Sequence, residues 1–190
     1  DGDSGYFRDE DGLRKGRLQL DYTKAHDFAL TGRLEKKVNG GQLGFSFYTG
    51  NSTNGHINEG GNVTMLEADM KWRKGALELN NSIANVSISD SDEMNTFCSA
   101  ASINGQGRAG GSCRNDIPNN IFGINLQAGL HLPQAMGWNT TYDIIPHIMW
   151  EKIRPADEFG GNAATADRSK NFDRFLIGVS YMPDPKVAVK

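Results

Sequence analysis

Charged and apolar side chains take turns in the stretch LEADMKWR, residues 66–73. A period of two sends successive side chains to opposite faces of a β-strand. A lysine or arginine that faces hydrocarbon at the middle of a membrane costs about 2–4 kcal/mol, whereas a charge that faces water costs little. We therefore expect the charged row to line water, where fixed charges can select ions without a covalent step. Its members are Glu67, Asp69, Lys71 and Arg73.

The same alternation in other segments adds candidates to this water-lining set. The signs of the charges are mixed, which argues against strong selectivity. An anion filter would need a cluster of arginines and lysines, and no such cluster is evident in the sequence. The complete predicted set is Arg33, Glu35, Glu67, Asp69, Lys71, Arg73, Glu78, His147 and Glu151.

Catalytic and metal-binding patterns are missing from the sequence. No Gly-x-Ser-x-Gly, phosphate-binding loop or His-Glu-x-x-His motif occurs. Asp1-Gly2-Asp3 begins like a calcium loop, but Gly12 stands where the bidentate glutamate belongs. We expect no enzyme activity, no catalytic residue, no metal site and no cofactor. The four histidines are scattered, at His26, His56, His131 and His147.

The elements that must position the charged row are β-strands. Alternation of apolar and polar side chains repeats along the chain, and no segment has the pattern of a long helix. An all-β fold is therefore predicted. Its strands are expected near residues 17–25, 27–38, 41–50, 62–74, 75–89, 121–132, 141–153 and 173–182, with another beginning at 186.

Composition is compatible with a soluble domain and with a membrane barrel. The chain has 37% hydrophobic residues and a formal charge of −3, and its mean hydropathy is −0.53. No apolar run reaches the about 20 residues that a transmembrane helix needs. A transmembrane barrel also has a low mean hydropathy, because only every second strand residue faces lipid.

Short and long connections alternate along most of the chain. Tight turns are expected at residues 38–41, 73–75 and 182–185, a moderate connection at 133–140, and long loops near 51–61, 90–120 and 154–172. Outer-membrane barrels have this rhythm, with short periplasmic turns and long extracellular loops. Aromatic residues fall mostly toward strand ends, as an interfacial girdle would place them. We therefore predict an antiparallel transmembrane β-barrel, in which residues 1–190 form one domain portion. The aromatics are Tyr22, Phe47, Tyr48, Trp72, Tyr142, Trp150, Phe175 and Tyr181.

Several segments resemble strands of Gram-negative outer-membrane porins. DFALTGRLEKKVNGGQLGFSFYTGNS is similar to a porin hairpin, and TMLEADMKWRKGALEL resembles the following hairpin of porins similar to the phosphate-selective family. FGINLQAGLHL, YDIIPHIMWEKI and RFLIGVSYMPDPKVAVK resemble later strands. The resemblance implies about eight strands of a larger porin barrel, incomplete at one or both ends.

The resemblance also implies a function. We expect a location in the bacterial outer membrane and passive diffusion of small hydrophilic solutes or ions through a water-filled channel, with anion transport left open. The expected partners are the lipid bilayer and those solutes or ions. Nucleic acid is not an expected partner, and assembly into a homo-oligomer stays open.

Two other functions stay open at this point. One is a barrel that sheathes a partner such as a multihaem cytochrome. The other is a soluble extracellular β-sandwich that binds carbohydrate, with Trp72 and Trp150 as stacking platforms.

The two cysteines, Cys98 and Cys113, fall in the longest predicted loop. We predict a disulfide between them, because two thiols in a flexible loop of an exported protein tend to pair. Closing a loop of about 15 residues would stabilise the fold by about 3 kcal/mol in the chain-entropy account. A metal site is the weaker hypothesis, since the sequence has no Cys-x-x-Cys pair.

Overall fold

One antiparallel sheet organises the part of the chain that the structure describes. The computed structural model describes residues 28–52, 61–96, 116–159, 167–184 and 187–189. Each strand pairs with its neighbours in chain order. Within these ranges two helical segments lie between strands, α1 at residues 91–96 and α2 at Leu132–Met136. The strands are β1 (Ala29–Val38), β2 (Gly41–Asn51), β3 (Asn62–Lys74), β4 (Leu77–Ile88), β5 (Pro118–Leu130), β6 (Asp143–Phe159), β7 (Phe172–Asp184) and β8 (Val187–Val189).

The all-β prediction is confirmed. The predicted strands from residue 27 onward correspond to β1–β8, and the strand predicted at 17–25 lies outside the described residues. In the described part of the chain, no helix has the length and apolar character needed to cross a bilayer.

The largest difference from the predicted bounds is in β6. It continues to Phe159, through residues 154–159 that were expected to belong to a loop. The Asn171 side chain explains part of this extension, because its oxygen accepts from the Ala156 N–H at 3.3 Å and its nitrogen donates to the Ala156 carbonyl at 3.0 Å. Register shifts opposite Pro118 and Asn120 accommodate the added length on the β5 side.

Connections alternate between the two ends of the strands. We call one end the turn end, where residues 39–40, 75–76, 131–142 and 185–186 join strands, and the other the loop end, where 52–61, 89–117 and 160–171 do so. Gly40 and Gly75 have φ values of +87° and +58°. Glycine adopts this left-handed conformation without the steric cost that other residues meet, which suits the tight turns.

Register divides the sheet into two faces. Residues that pair across neighbouring strands point to the same side. Phe45 pairs with Ala68, and Ala68 pairs with Ile83, so these side chains share one face, here called the apolar face. One residue further along each strand, Gly44 pairs with Asp69 on the opposite side, here called the polar face.

Large side chains on the apolar face are exposed. Leu34 is 70% exposed and Ile177 is 75% exposed. A large exposed apolar surface marks a site of contact with another protein, a ligand or a membrane. On β7, Phe172 and Leu176 are exposed on the polar face instead. In β1–β6 every exposed large hydrophobic side chain belongs to the apolar face, namely Leu30, Leu34, Leu43, Phe45, Leu66, Leu77, Ile83, Leu126, Leu130, Ile148 and Trp150.

The band of apolar residues crosses this face diagonally. On β1 it is centred on Gly32, between Leu30 and Leu34, and on β7 it is centred within Ile177–Val179. The cross-strand row that starts at Gly32 leaves the band before β6, where it reaches Arg154. Over the six steps from β1 to β7 the centre of the band moves toward the turn end by three to four rows, or about seven residues.

A small buried cluster covers the loop end of the polar face. Val63, Ile88, Met94 and Ile117 are each at most 3% exposed. Met94 belongs to α1, which lies in a segment predicted as loop. The Asn95 amide ties α1 to the start of β5, since it donates to the Ile117 carbonyl at 3.1 Å and accepts from the Ile117 N–H at 2.9 Å. The charged residues of β3 on this face therefore begin at Glu67, on the turn-end side of Val63.

Aromatic residues lie at both edges of the apolar band. At the turn end, Tyr142 and Tyr181 have ring centroids 6.1 Å apart, and the Trp72 indole donates to the Asn39 carbonyl at 3.0 Å. Toward the loop end, Trp150 pairs with Phe175 one row before Lys152 and Asp173, although Trp150 lies at the middle of β6 because that strand is longer than expected. One girdle assignment was wrong, because Tyr48 lies on the polar face against the buried cluster. Tyr22 lies outside the described residues.

Candidate functional site

The polar face brings together all nine residues of the predicted water-lining set. Residues that pair in register share a side of the sheet, and so do residues two apart on one strand. These two relations place all nine residues on the same side. The rows are Arg33–Ser46–Glu67, Glu35–Gly44–Asp69, Gln42–Lys71–Asn80, Arg73–Glu78–Gly129–His147 and Ser82–Asn125–Glu151.

Arg33 spans three strands on the polar face. Its Nε contacts Glu35 Oε1 at 2.7 Å, its Nη1 donates to the Ser46 hydroxyl at 2.7 Å, and its Nη2 forms an ion pair with Asp69 Oδ2 at 2.8 Å. Gly44 lies beneath the guanidinium, and a Cβ at that position would lie 2.3 Å from both Arg33 Nη2 and Asp69 Oδ2. The glycine therefore leaves the space through which the ion pair from β1 to β3 forms.

A second ion pair lies on the other side of this face. The Arg174 guanidinium of β7 contacts Glu151 Oε2 of β6 through Nη2 and through Nε, the latter at 2.9 Å. The Asn125 amide of β5 approaches Glu151 Oε1 at 3.5 Å. In this pair a cation and a carboxylate from neighbouring strands neutralise each other.

Uncharged polar side chains occupy much of the face between the two ion pairs. A cavity of about 310 Å³ lies over this region, between Arg33 and Asn125, and its wall includes Ser82. Amides and hydroxyls both donate and accept hydrogen bonds. This region can therefore hold water or a hydrophilic solute.

Four charges on the polar face form no ion pair with the described residues. They are Lys37, Glu67, Lys71 and Arg73, and all four are exposed. Lys37 and Lys71 both pair in register with Gln42, and Arg73 donates to Gln134 Oε1 at 3.1 Å. The net charge of these four groups is +2, because three cations outnumber one glutamate.

A buried histidine links the turn-end connection to the sheet. His131 is 3% exposed, its Nδ1 contacts Asp143 Oδ2, and its Nε2 lies 2.9 Å from Glu78 Oε2. Each ring nitrogen of His131 therefore faces one carboxyl group. The His131 N–H also donates to the Ala76 carbonyl at 2.8 Å. These contacts hold α2 and its flanking residues against the turn between β3 and β4.

His147, a member of the predicted set, lies against the wall. Its Nδ1 is 3.3 Å from the Ile145 carbonyl, and its ring occupies the space above Gly178, where a Cβ would lie 2.6 Å from Nε2. Among the described residues, no group of three or more histidine, cysteine, aspartate or glutamate side chains could hold a metal ion. Cys98 and Cys113, with the predicted disulfide, lie outside the described residues.

Four residues of this face were not in the predicted set. Lys37 and Arg174 follow the same alternation as their neighbours, so the sequence did carry a signal for them. His131 and Asp143 lie at or beyond strand ends, where alternation gives no information. His131 contacts Glu78 across 53 residues, which no local pattern encodes, and Asp143 contacts His131 across the connection that contains α2.

We compared the chain with protein-family models, with curated proteins and with solved structures. None of the three comparisons gave a match. The proposals below therefore depend on the geometry of the sheet and on the resemblance of its segments to porin strands.

Proposed function

We propose that this chain forms part of the wall of a transmembrane β-barrel in the bacterial outer membrane, and that the barrel is a porin. The observation that carries the proposal is the diagonal apolar band on one face, opposite a face that carries charges and amides. A soluble sheet of one layer would leave this band in water. Lipid acyl chains would cover the band and leave the polar face to an aqueous lumen.

The slope of the band supports this proposal quantitatively. A shift of about seven residues over six strands is about 1.2 residues, or about 4 Å, for each strand-to-strand step. Neighbouring strands lie about 4.8 Å apart, so strands that cross a horizontal band with this shift tilt by about 40°. Strands of membrane barrels tilt by about 35–45°.

The height of the band fits the same proposal. On β5 it runs from Phe122 to Leu130, which is about 27 Å along the strand. At a tilt of about 40° the vertical height is about 21 Å, close to the about 25 Å apolar band of outer-membrane barrels. A membrane-spanning sheet leaves no unpaired edge, so we infer that β1 and β8 pair with each other or with further strands.

Transport through this pore would be passive. Small hydrophilic solutes or ions cross down their gradients, and selection depends on size and on fixed charge. Arg33 with its two carboxylates carries a net charge of −1, and the Arg174–Glu151 pair carries none. The four charges without an ion pair add +2, and Glu78 and Asp143 add two negative charges around His131. The described polar face is therefore close to neutral and gives no strong preference for cations or anions.

Electrical recordings from the reconstituted full chain test the pore. We expect stepwise conductance in planar bilayers. We also expect the electrophoretic mobility of the protein in gels to change when the sample is heated. Absence of conductance together with a copurifying haem protein would favour a barrel that sheathes a partner. A protein that stays soluble without detergent and shows no heat-dependent mobility would overturn the membrane location and favour a soluble β-protein.

A pair of lysine variants tests which face lines the lumen. Lys71→Glu changes the charge of the polar face by two units, while Lys74→Glu makes the same change on the apolar face of β3. At about 8 Å in water two charge units are worth about 1 kcal/mol, and screening at 0.15 M salt lowers this to about 0.4 kcal/mol. This energy favours cations and disfavours anions by the same amount, so we expect Lys71→Glu to raise the cation-to-anion permeability ratio about fourfold. Equal shifts from both variants in reversal potential would contradict the assignment of faces.

A further inference from the structure

A polar groove opens at the loop end of the apolar face, directly beyond the apolar band. Its volume is about 380 Å³, within the about 300–1,000 Å³ of small-molecule sites. Thr64, Ser87 and Asn120 pair in one cross-strand row that belongs to this face. The groove is lined by Asn62, Thr64, Asn85, Ser87, Ile88, Ser89, Asn119, Asn120 and Glu158.

The groove carries hydrogen-bonding groups that its own contacts do not saturate. Asn85 donates to Asn120 Oδ1 at 2.8 Å, and Thr64 donates to Asn62 Oδ1 at 2.9 Å. Ser87 and the Asn120 amide nitrogen take part in neither contact. Hydroxyls and amides donate hydrogen bonds, so a hydroxyl group that entered the groove would find donors and acceptors that are not already used.

Charge in and around the groove disfavours an anionic occupant. Glu158 is the one ionisable residue that lines it. The nearest cation on this face by register, Arg154, is engaged in an ion pair with Asp173 and donates to the Phe172 carbonyl at 2.7 Å. A phosphate in the groove would therefore meet the Glu158 carboxylate, while the cation nearest to it by register is already paired. An uncharged group with several hydroxyls fits these contacts better.

The apolar band immediately below the groove determines what else the occupant must carry. Leu66 and Phe122 lie one cross-strand row nearer the turn end, and Ala68, Ile83 and Ile124 lie one row beyond them. Residues two apart on a strand are separated by about 7 Å. An occupant of the groove therefore lies within that distance of the apolar side chains of the band. The occupant is then an amphiphile, with a polar head in the groove and apolar chains along the band.

We propose that this groove binds the uncharged sugar head of a glycolipid whose acyl chains lie along the apolar face. This inference rests on the proposed membrane location, because only a bilayer delivers such a lipid to this side of the sheet. It assigns a ligand class to residues that have no part in the pore.

Native mass spectrometry of the full chain, released from an uncharged detergent, tests this site. The probes are digalactosyl diacylglycerol, phosphatidylglycerol with matched acyl chains, and free digalactose. We expect retention of digalactosyl diacylglycerol at concentrations at least tenfold below those needed for the other two. Equal retention of phosphatidylglycerol would overturn the choice of an uncharged head, and equal retention of free digalactose would overturn the lipid.

Matched variants keep the test independent of the pore. Asn85→Leu removes an amide of the groove, whereas Asn80→Leu removes one from the polar face of the same strand. We expect at least a tenfold loss of glycolipid retention from Asn85→Leu and from the nearly isosteric Thr64→Val, with retention kept in Asn80→Leu. Equal retention by all three proteins would overturn the site. Heat-dependent gel mobility, measured first on each protein, reports failure of the membrane proposal separately.

Discussion

Two alanines on adjacent strands allow the same substitution to be tested on opposite faces. Ala68 of β3 lies on the apolar face and pairs with Phe45 and Ile83, two residues inside the band from Leu66. Ala84 of β4, on the next cross-strand row, lies on the polar face. We compare Ala68→Arg with Ala84→Arg, which differ in little except the side to which the arginine points.

The expected difference between the two variants follows from their depth. An arginine that faces lipid costs about 2–4 kcal/mol at the midplane and about 0–1 kcal/mol near the interfaces. Ala68 lies about 7 Å along its strand from the band's boundary, so we expect about 2–3 kcal/mol for Ala68→Arg. This lowers the equilibrium constant for folding into bilayers roughly 30- to 150-fold. For Ala84→Arg, whose register partner is Glu67, we expect a change within about 0.5 kcal/mol.

Urea titrations of folding into lipid vesicles measure both values. Tryptophan fluorescence and heat-dependent gel mobility follow the same transition, which checks that both report membrane folding. A loss of similar size for the two variants would refute the reasoning. The cost of an arginine would then not depend on which face of the sheet carries it, and contact of one face with lipid would not be supported. A larger loss for Ala84→Arg would show that the faces are reversed.

Two further substitutions test how the polar face is built. Gly44→Val should break the ion pair from β1 to β3, because a Cβ would lie 2.3 Å from both partners. We expect the free energy of unfolding in urea titration to fall by about 1–3 kcal/mol. Gly123→Ala should be tolerated, because the nearest atom to its Cβ would lie 3.6 Å away. His131→Ala should cost about 2 kcal/mol, because it leaves two carboxylates without their shared donor, and should speed proteolysis within residues 131–142. His147→Ala is its control and should leave the rate of that cleavage unchanged.

Alternation predicted the strands well because it is a local property. Successive side chains of a strand point to opposite faces wherever the strand lies in the protein. The pattern around Glu67 and Lys71 therefore indicated both the strand and its faces without knowledge of neighbours. The same reasoning placed Arg33 and Glu151 on the polar face before any partner was known.

Contacts between distant segments could not be predicted in this way. The Arg33–Asp69 ion pair depends on the register of two hairpins and on the space above Gly44, neither of which has a local signature. The link from His131 to Glu78 likewise spans 53 residues. Burial of Met94 in α1 reflects packing against the sheet, which overrides the loop-like composition of its segment.

The slope of the apolar band is also a property of the whole sheet. Each strand reveals its own apolar residues, but the shift from strand to strand needs the register of all neighbouring pairs. The tilt of about 40° follows only when these pairs are combined.

Site-directed spin labelling across residues 66–73 tests most directly whether one face of the sheet meets lipid and the other meets water. Single labels are introduced in a background in which Cys98 and Cys113 are replaced by serine, and each protein is folded into vesicles. We expect accessibility to oxygen to peak at even-numbered positions, and accessibility to a water-soluble nickel chelate to peak at odd-numbered ones. If both reagents peaked at the same positions, or if oxygen accessibility showed no period of two, the account would be contradicted.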